Sequence, residues 1–281
     1  MFFGNLESVQ TQKSKLIKIL FAKYHANGND FILVLDSNFP KNLREKDIIS
    51  RLCSRHTGIG ADGLFVISPS NNYDFFLDYY NADGSWETLC ANGSRCVAKF
   101  MVDSGNAKQK LKFETGAGIH SAEVIADGQV VMSMKTPEYK SESLSLEGVN
   151  GFFVDSGARH FVCQSENLND DFVLSTGRKI RNAPEFQPRG INVNFYRYIN
   201  SNSVEIKTYE KGVEQVMLSC SSGSAAVVFH LSQINTITSP VITCSTGGEL
   251  VFTFDDDWGK FCSKGPAELL FNGEFNMAVL T

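Results

Sequence analysis

Apolar positions along the chain fall mostly into short runs of period two, separated by turns rich in glycine, asparagine and aspartate. Residues 16–25 (LIKILFAKYH) and 31–36 (FILVLD) flank the turn Asn27-Gly28-Asn29-Asp30 and predict two strands. Residues 46–56 place Ile48, Ile49 and Leu52 on one side and predict a helix. The glycine-rich turn Gly58–Gly63 leads into the strand LFVIS, and DFFLDYYNADG gives a strand that ends in a turn. A short buried helix is expected over 92–102, followed by the strands KLKFET, HSAEVIA and QVVMSMK. The second half repeats this order. Strands are expected near 152–155 and 160–163, a helix in FVLSTGRKIR, and the strands NVNFYRYI and SVEIKTYE. A helix, SAAVVFHL, is expected to begin after Gly223, with the strands VITCST, ELVFTF and AELLFNGEF closing the chain.

The echo between halves extends to residues. CANGSRCVAKF starts at Cys90 and CSSGSAAVVFH at Cys220, so Gly93 and Gly223, Ser94 and Ser224, and Val97 and Val227 stand at equal offsets. A strand and a turn precede each: YYNADG in one half, KTYEKGV in the other. Asn29-Asp30-Phe31 is echoed by Arg159-His160-Phe161. Two related halves are expected, each offering one cysteine at the start of a helix.

Such a pair suits the inversion of an α-carbon, which needs a base on one face and an acid on the other. Proton removal leaves a carbanion whose charge must be held electrostatically. Without a cofactor as electron sink, that charge moves onto the substrate carboxylate, which the free N–H groups of a helix N-terminus bind well. Asn92-Gly93 and Ser221-Ser222-Gly223 stand where such groups would lie. A helix N-terminus is also expected to lower a thiol pKa towards working pH. His160 and Glu210 are candidates to tune the thiols or orient the substrate. From the residues alone, two buried small hydrophobes explain Cys90 and Cys220 about equally well.

Composition narrows the setting. With 281 residues, 42% hydrophobic and 20% charged, the chain suits one large domain or two ordinary ones. A net charge of -5 without a basic block argues against nucleic acid as a partner. No apolar run reaches membrane-spanning length, and polar residues interrupt the start, so neither membrane nor signal peptide is expected and the cytoplasm is the default compartment. Seven cysteines without a CxxC pair speak against a zinc site. A thiol redox protein is disfavoured for want of a cysteine pair close in sequence.

The motifs together resemble the diaminopimelate epimerase family, from about Lys18 to Thr281. KYHANGNDFILVLD, RHTGIGADGLFVI, NADGSWETLCANGSRC, GARHFV, TYEKGV with LSCSSGSAA, and KGPAELLFNGEF match its motifs in order. The resemblance implies an α+β fold of two pseudo-symmetric domains, each a curved, mostly antiparallel sheet around a central helix. It implies an N-terminal half at 18–136 with 270–281 and a C-terminal half at 137–269, while residues 1–17, polar and patternless, read as a disordered or loosely attached extension. The implied reaction interconverts LL- and meso-diaminopimelate without pyridoxal phosphate or metal, with Cys90 and Cys220 as its two bases. Asn29, Asn81, Ala91, Asn92, Gly93, Asn192, Glu210, Lys211, Ser221 and Ser222 fall at substrate-contacting positions, and His160 beside the site. The expected partner is a small amino acid, with the assembly open between monomer and homodimer.

Several positions depart from the family pattern. Ala91 stands for glycine, Ala158-Arg159 for Asn-Pro, and Glu210-Lys211 for Glu-Arg. Lysine lacks arginine's planar fork, so Arg159 becomes a candidate partner for the distal carboxylate. A related racemase of another amino acid is the alternative reading.

Overall fold

The computed structural model describes residues 18–277, so the extension expected at 1–17 lies outside them, as does the chain from 278 onwards. The first half runs β1 (Lys18–Ala26), β2 (Asn29–Leu35), α1 (Lys46–Cys53), β3 (Gly63–Ser68), β4 (Phe75–Asn81), β5 (Trp86–Glu87), α2 (Ala91–Asp103), β6 (Lys110–Thr115), β7 (Gly118–Val124) and β8 (Gln129–Ser133). The second opens with the short strands β9 (Glu138–Tyr139) and β10 (Leu144–Leu146). It continues through β11 (Val149–Asp155), β12 (Arg159–Gln164), α3 (Asp170–Arg181), β13 (Asn192–Asn200), β14 (Ser203–Glu210), β15 (Gln215–Met217), α4 (Ser221–Gln233), β16 (Val241–Ser245) and β17 (Gly248–Phe254). β18 (Phe261–Pro266) and β19 (Glu268–Asn276) close it.

The pairings repeat in order. In the first half β1–β2 is antiparallel, β2–β3 parallel, β3–β4 antiparallel, β4–β6 parallel, and β6–β7 and β7–β8 antiparallel. The same sequence of senses recurs in β11–β12, β12–β13, β13–β14, β14–β16, β16–β17 and β17–β18. β5 folds back on β4 as β15 does on β14. Antiparallel pairing of β8 with β18 joins the halves, and β19 returns along β1.

Strand periodicity explains why each half has two cores. Along β2, Phe31 and Leu33 face α2 while Ile32 and Val34 face α1; β3 divides likewise between Phe65 with Ile67 and Leu64 with Val66. In the second half Val162 and Tyr196 face α4, and Phe161, Cys163, Val193 and Phe195 face α3. Strands covered on both faces read as unbroken apolar runs, which accounts for FILVL and LFVI. α2 and α4 lie inside their sheets: nearly every residue from Ala91 to Ala98 and from Gly223 to Leu231 is buried. The architecture is the expected α+β arrangement of curved, mostly antiparallel sheet around central helices.

Two readings change. α4 starts at Ser221, so Gly223 lies in its first turn and does not precede it. β18 had no counterpart in the pattern reading: its residues, FCSKGP, carry a serine, a lysine, a glycine and a proline and lack strand propensity.

Candidate active site

Cys90 and Cys220 are the N-caps of α2 and α4, with near-identical backbone angles: φ −131°, ψ 112° and φ −136°, ψ 101°. Each carbonyl accepts the first helical hydrogen bond, from Ser94 N at 2.8 Å and Ser224 N at 2.9 Å. The Cys220 thiol accepts from Gly223 N at 3.4 Å; the Cys90 thiol accepts no such capping bond, although the Gly93 and Asn92 amides favour its thiolate. The small first-turn residues are required by packing. A Cβ on Gly93 would meet Phe65 Cε2 at 2.1 Å, and one on Gly223 would meet Asn194 Oδ1 at 2.1 Å.

Both thiols open onto one cavity of about 290 Å³ between the halves. Asn29, Asn81, Ala91 and Asn92 line it from the first half; Arg159, Asn192, Glu210, Lys211, Ser221 and Ser222 line it from the second. His160 and Gly93 do not reach it. His160 is fully buried one layer behind Ser222, and Gly93 is pressed against Phe65. Residues the motif reading passed over also contribute: Tyr79, Leu89 and Met134 supply apolar wall, and Ser156 holds the Ser222 carbonyl at 2.7 Å. Asp62 anchors Asn29 by accepting from its Nδ2 at 2.7 Å. Its place in a glycine-rich turn hid it, because the turn's function is to bring that carboxylate under β2.

Asn92 is committed to the protein. Its Nδ2 donates to Asn29 Oδ1 at 3.2 Å, and its Oδ1 accepts from Ser221 Oγ at 2.6 Å and Arg95 at 2.9 Å. Asn192 Oδ1 accepts from Lys211 N at 2.8 Å, which sets the turn after Glu210. Arg159 lies 4.9 Å above the Phe153 ring, and its Nε has no acceptor within the described protein.

Behind the thiols the halves diverge. Strand pairing puts Phe31, Phe65 and Tyr79 in the positions that His160, Asn194 and Thr208 occupy in the second half, so Phe31 corresponds to His160 and the expected match of Asn29-Asp30-Phe31 with Arg159-His160-Phe161 is one residue out of register. The aromatic trio packs ring on ring, with centroids 4.7 Å apart for Phe65 and Tyr79. The other trio is a hydrogen-bonded chain. Thr208 Oγ1 donates to Asn194 Oδ1 at 2.9 Å, which turns the amide so that its Nδ2 donates to His160 Nδ1 at 3.0 Å. The neutral ring then carries its proton on Nε2, 3.0 Å from Ser222 Oγ. Ser222 is left to donate to the Cys220 thiol at 3.6 Å.

Burial governs the ionisation here. It pushes the Cys90 thiol up to about 11 and that of Cys220 up to about 12, with the Glu210 charge adding to both. The helix N–H groups pull the other way and do not win, contrary to the lowering expected from their position. Burial also raises the Glu210 carboxyl to about 7 and lowers His160 to about 3.

Comparison with known proteins now bears on this geometry. The diaminopimelate epimerase family model matches residues 21–140. The diaminopimelate epimerase of Aquifex aeolicus is 36% identical over 92% of this chain and 99% of its own length. The chain belongs to the diaminopimelate epimerase family. The Flavobacterium psychrophilum member is 34% identical over 89% of this chain and 97% of its own length. Among solved structures, a hydroxyproline epimerase from Agrobacterium vitis aligns with a TM-score of 0.74 at 14% identity, covering 93% of each chain. A PhzF-family phenazine biosynthesis protein from Bacillus anthracis aligns at 0.68 with 15% identity, covering 92% of this chain and 99% of that one. Those two likenesses establish a shared fold. Ala91, Ala158, Arg159 and Lys211, where the sequence reading expects departures from the family pattern, all line the cavity.

Proposed function

We propose that the chain interconverts LL- and meso-diaminopimelate by proton transfer between the substrate α-carbon and the two thiols. The observation that carries this reading is the pair of cysteines capping equivalent helices onto one cavity. One thiolate removes the α-proton while the opposite thiol delivers its own, and the product leaves with inverted configuration. The substrate carboxylate takes up the charge, received by the N–H groups of α2 and α4. Glu210 and Asn192 hold the α-ammonium side, with Asn29 and Asn81 on the opposite wall. Arg159 receives the distal carboxylate, since it lines the cavity and Lys211 offers only a point charge. The same two residues favour the second reading, a racemase of another amino acid.

We place this activity in the cytoplasm, on a free small amino acid, with no part for nucleic acid or membrane. No helix among the described residues is long and apolar enough to cross a membrane. The working units are 18–136 with 270–281 and 137–269, and light scattering decides between monomer and homodimer.

Incubation of the reduced protein with LL-diaminopimelate in D₂O, beside a panel of other amino acids, tests the reading. Deuterium incorporation with inversion is expected for diaminopimelate, lost in Cys90→Ala and Cys220→Ala. Exchange with a different amino acid alone transfers the mechanism to the second reading. No exchange with any substrate, both thiols being free, ends both.

A further inference from the structure

Arg95 is fully buried on α2, and none of its hydrogen-bond partners carries a charge. Its Nη1 donates to Ser221 Oγ at 2.8 Å, and its Nη2 to Asn92 Oδ1 at 2.9 Å and Asn27 Oδ1 at 3.2 Å. Nε has no acceptor among the described residues, and Gly265 of β18 closes over that edge: a Cβ there would lie 3.3 Å from Nε. Burying a guanidinium without a carboxylate is unfavourable, because a buried ion loses its hydration and gains no counter-charge. A methionine would fill the same space without that penalty.

The location says what the charge does. Asn92 and Ser221 belong to the first turns of the two central helices, two residues after Cys90 and one after Cys220. One rigid fork therefore clamps the first turns of both helices across the boundary between the halves. Asn27 extends the clamp, because its Nδ2 reaches Glu249 O at 3.2 Å in β17. Burial draws Arg95 down to about 10, so it remains a cation at neutral pH.

We propose that Arg95 is a positioning residue of this site, whose unneutralised charge behind the two helix N-termini favours the Cys90 thiolate and the anionic substrate carboxylate. It adds a full charge to the partial charges of the helix ends and holds those ends in register. It opposes Glu210, whose carboxylate disfavours thiolate at both cysteines. The other titratable groups around the thiols are Tyr79, Cys96, His160 and Asp62, together with Glu87, Lys135, Arg159 and Lys211 on the cavity wall. Those three cations face the cavity, whereas Arg95 lies behind it, hydrogen-bonded to the first turns of both helices.

The proposal rests on Cys90 and Cys220 being the acid–base pair, and its test is read without substrate so that the two can fail separately. Iodoacetamide alkylation of Cys90 at pH 9 is followed by peptide mass spectrometry in the full chain. Arg95→Met removes the cation. Asn27→Asp sets a carboxylate against it, and Asn27→Gly removes the same amide without adding charge, at a φ of 53° that glycine accepts. Arg95→Met and Asn27→Asp are each expected to slow alkylation about tenfold, equivalent to one pH unit, and Asn27→Gly to leave it unchanged. Unchanged alkylation in Asn27→Asp, or equal slowing in Asn27→Gly, overturns the proposal; should Arg95→Met not fold, the Asn27 pair decides. Deuterium exchange by the unaltered protein separately tests the acid–base pair itself.

Discussion

A thiol held above its ordinary pKa is a poor base at neutral pH, and both candidate bases here are in that state. The proposed mechanism needs one thiolate, so kcat/KM is expected to climb from pH 7 to pH 10 as the deprotonated fraction grows. Glu210 contributes to the delay, because its negative charge opposes a second one on sulfur. Glu210→Gln is expected to move the limb to lower pH while weakening substrate binding, as initial rates across that range will report. Ser222 acts in the opposite sense, donating to the Cys220 sulfur. Ser222→Ala is expected to lower turnover about three- to tenfold, the worth of one hydrogen bond of ~1 kcal/mol, and Ser222→Thr to retain most of it. Each cysteine variant removes a proton carrier outright, and a fall of about 10²–10⁴ or more in exchange rate is expected.

At the scale of elements, the first turn of each central helix is where sequence and packing meet. Gly93→Ala and Gly223→Ala would drive a methyl into Phe65 and into Asn194. Each is expected to cost about 1–3 kcal/mol, measured by urea unfolding, with Gly223→Ala also disturbing the His160 chain. These turns were legible in the sequence because glycine, cysteine and a preceding strand recur at equal offsets. The long strands were legible because coverage on both faces leaves unbroken apolar runs. β18 was not, since its strand character comes from its neighbours β8 and β17 and not from its own residues. Asn194, Thr208 and Arg95 were equally hidden. An asparagine inside a strand and an arginine inside a helix carry no local sign that their partners lie across the molecule. The direction of the thiol shifts was misread for the same reason, because burial is a property of the whole fold.

At the scale of the molecule, two groups write opposite pH dependences into stability. His160 is neutral when folded, with its pKa lowered to about 3 from 6.5, so the unfolded chain binds the extra proton and stability is lost as pH falls from 6.5 towards 3. Glu210 is raised to about 7 from 4.5, so the folded chain holds the extra proton and stability is lost as pH rises from 4.5 to 7. Between pH 4.5 and 6.5 the two slopes oppose, so thermal unfolding is expected to show a flat profile in the parent and, in Glu210→Gln, a stability that rises with pH through His160 alone. Strand β19 is structural as well. β19 lies along β1 from Lys18↔Asn276 to His25↔Glu268, and removing residues 268–281 would bare the β1 edge. Loss of soluble yield is the expected outcome, read from the supernatant fraction after expression.

The contrast between the aromatic trio and the polar chain behind the two sulfurs bears on the enzyme between turnovers. A two-thiol inversion leaves the molecule with its proton on the other sulfur, poised for the reverse reaction until the proton hops back. Backbones that match while their backing differs make those two resting states unequal in energy. Substrate and product set the equilibrium constant, so this inequality cannot favour either isomer. It can decide which direction must wait for the hop, and at saturating substrate that waiting step becomes the speed limit in one direction before the other.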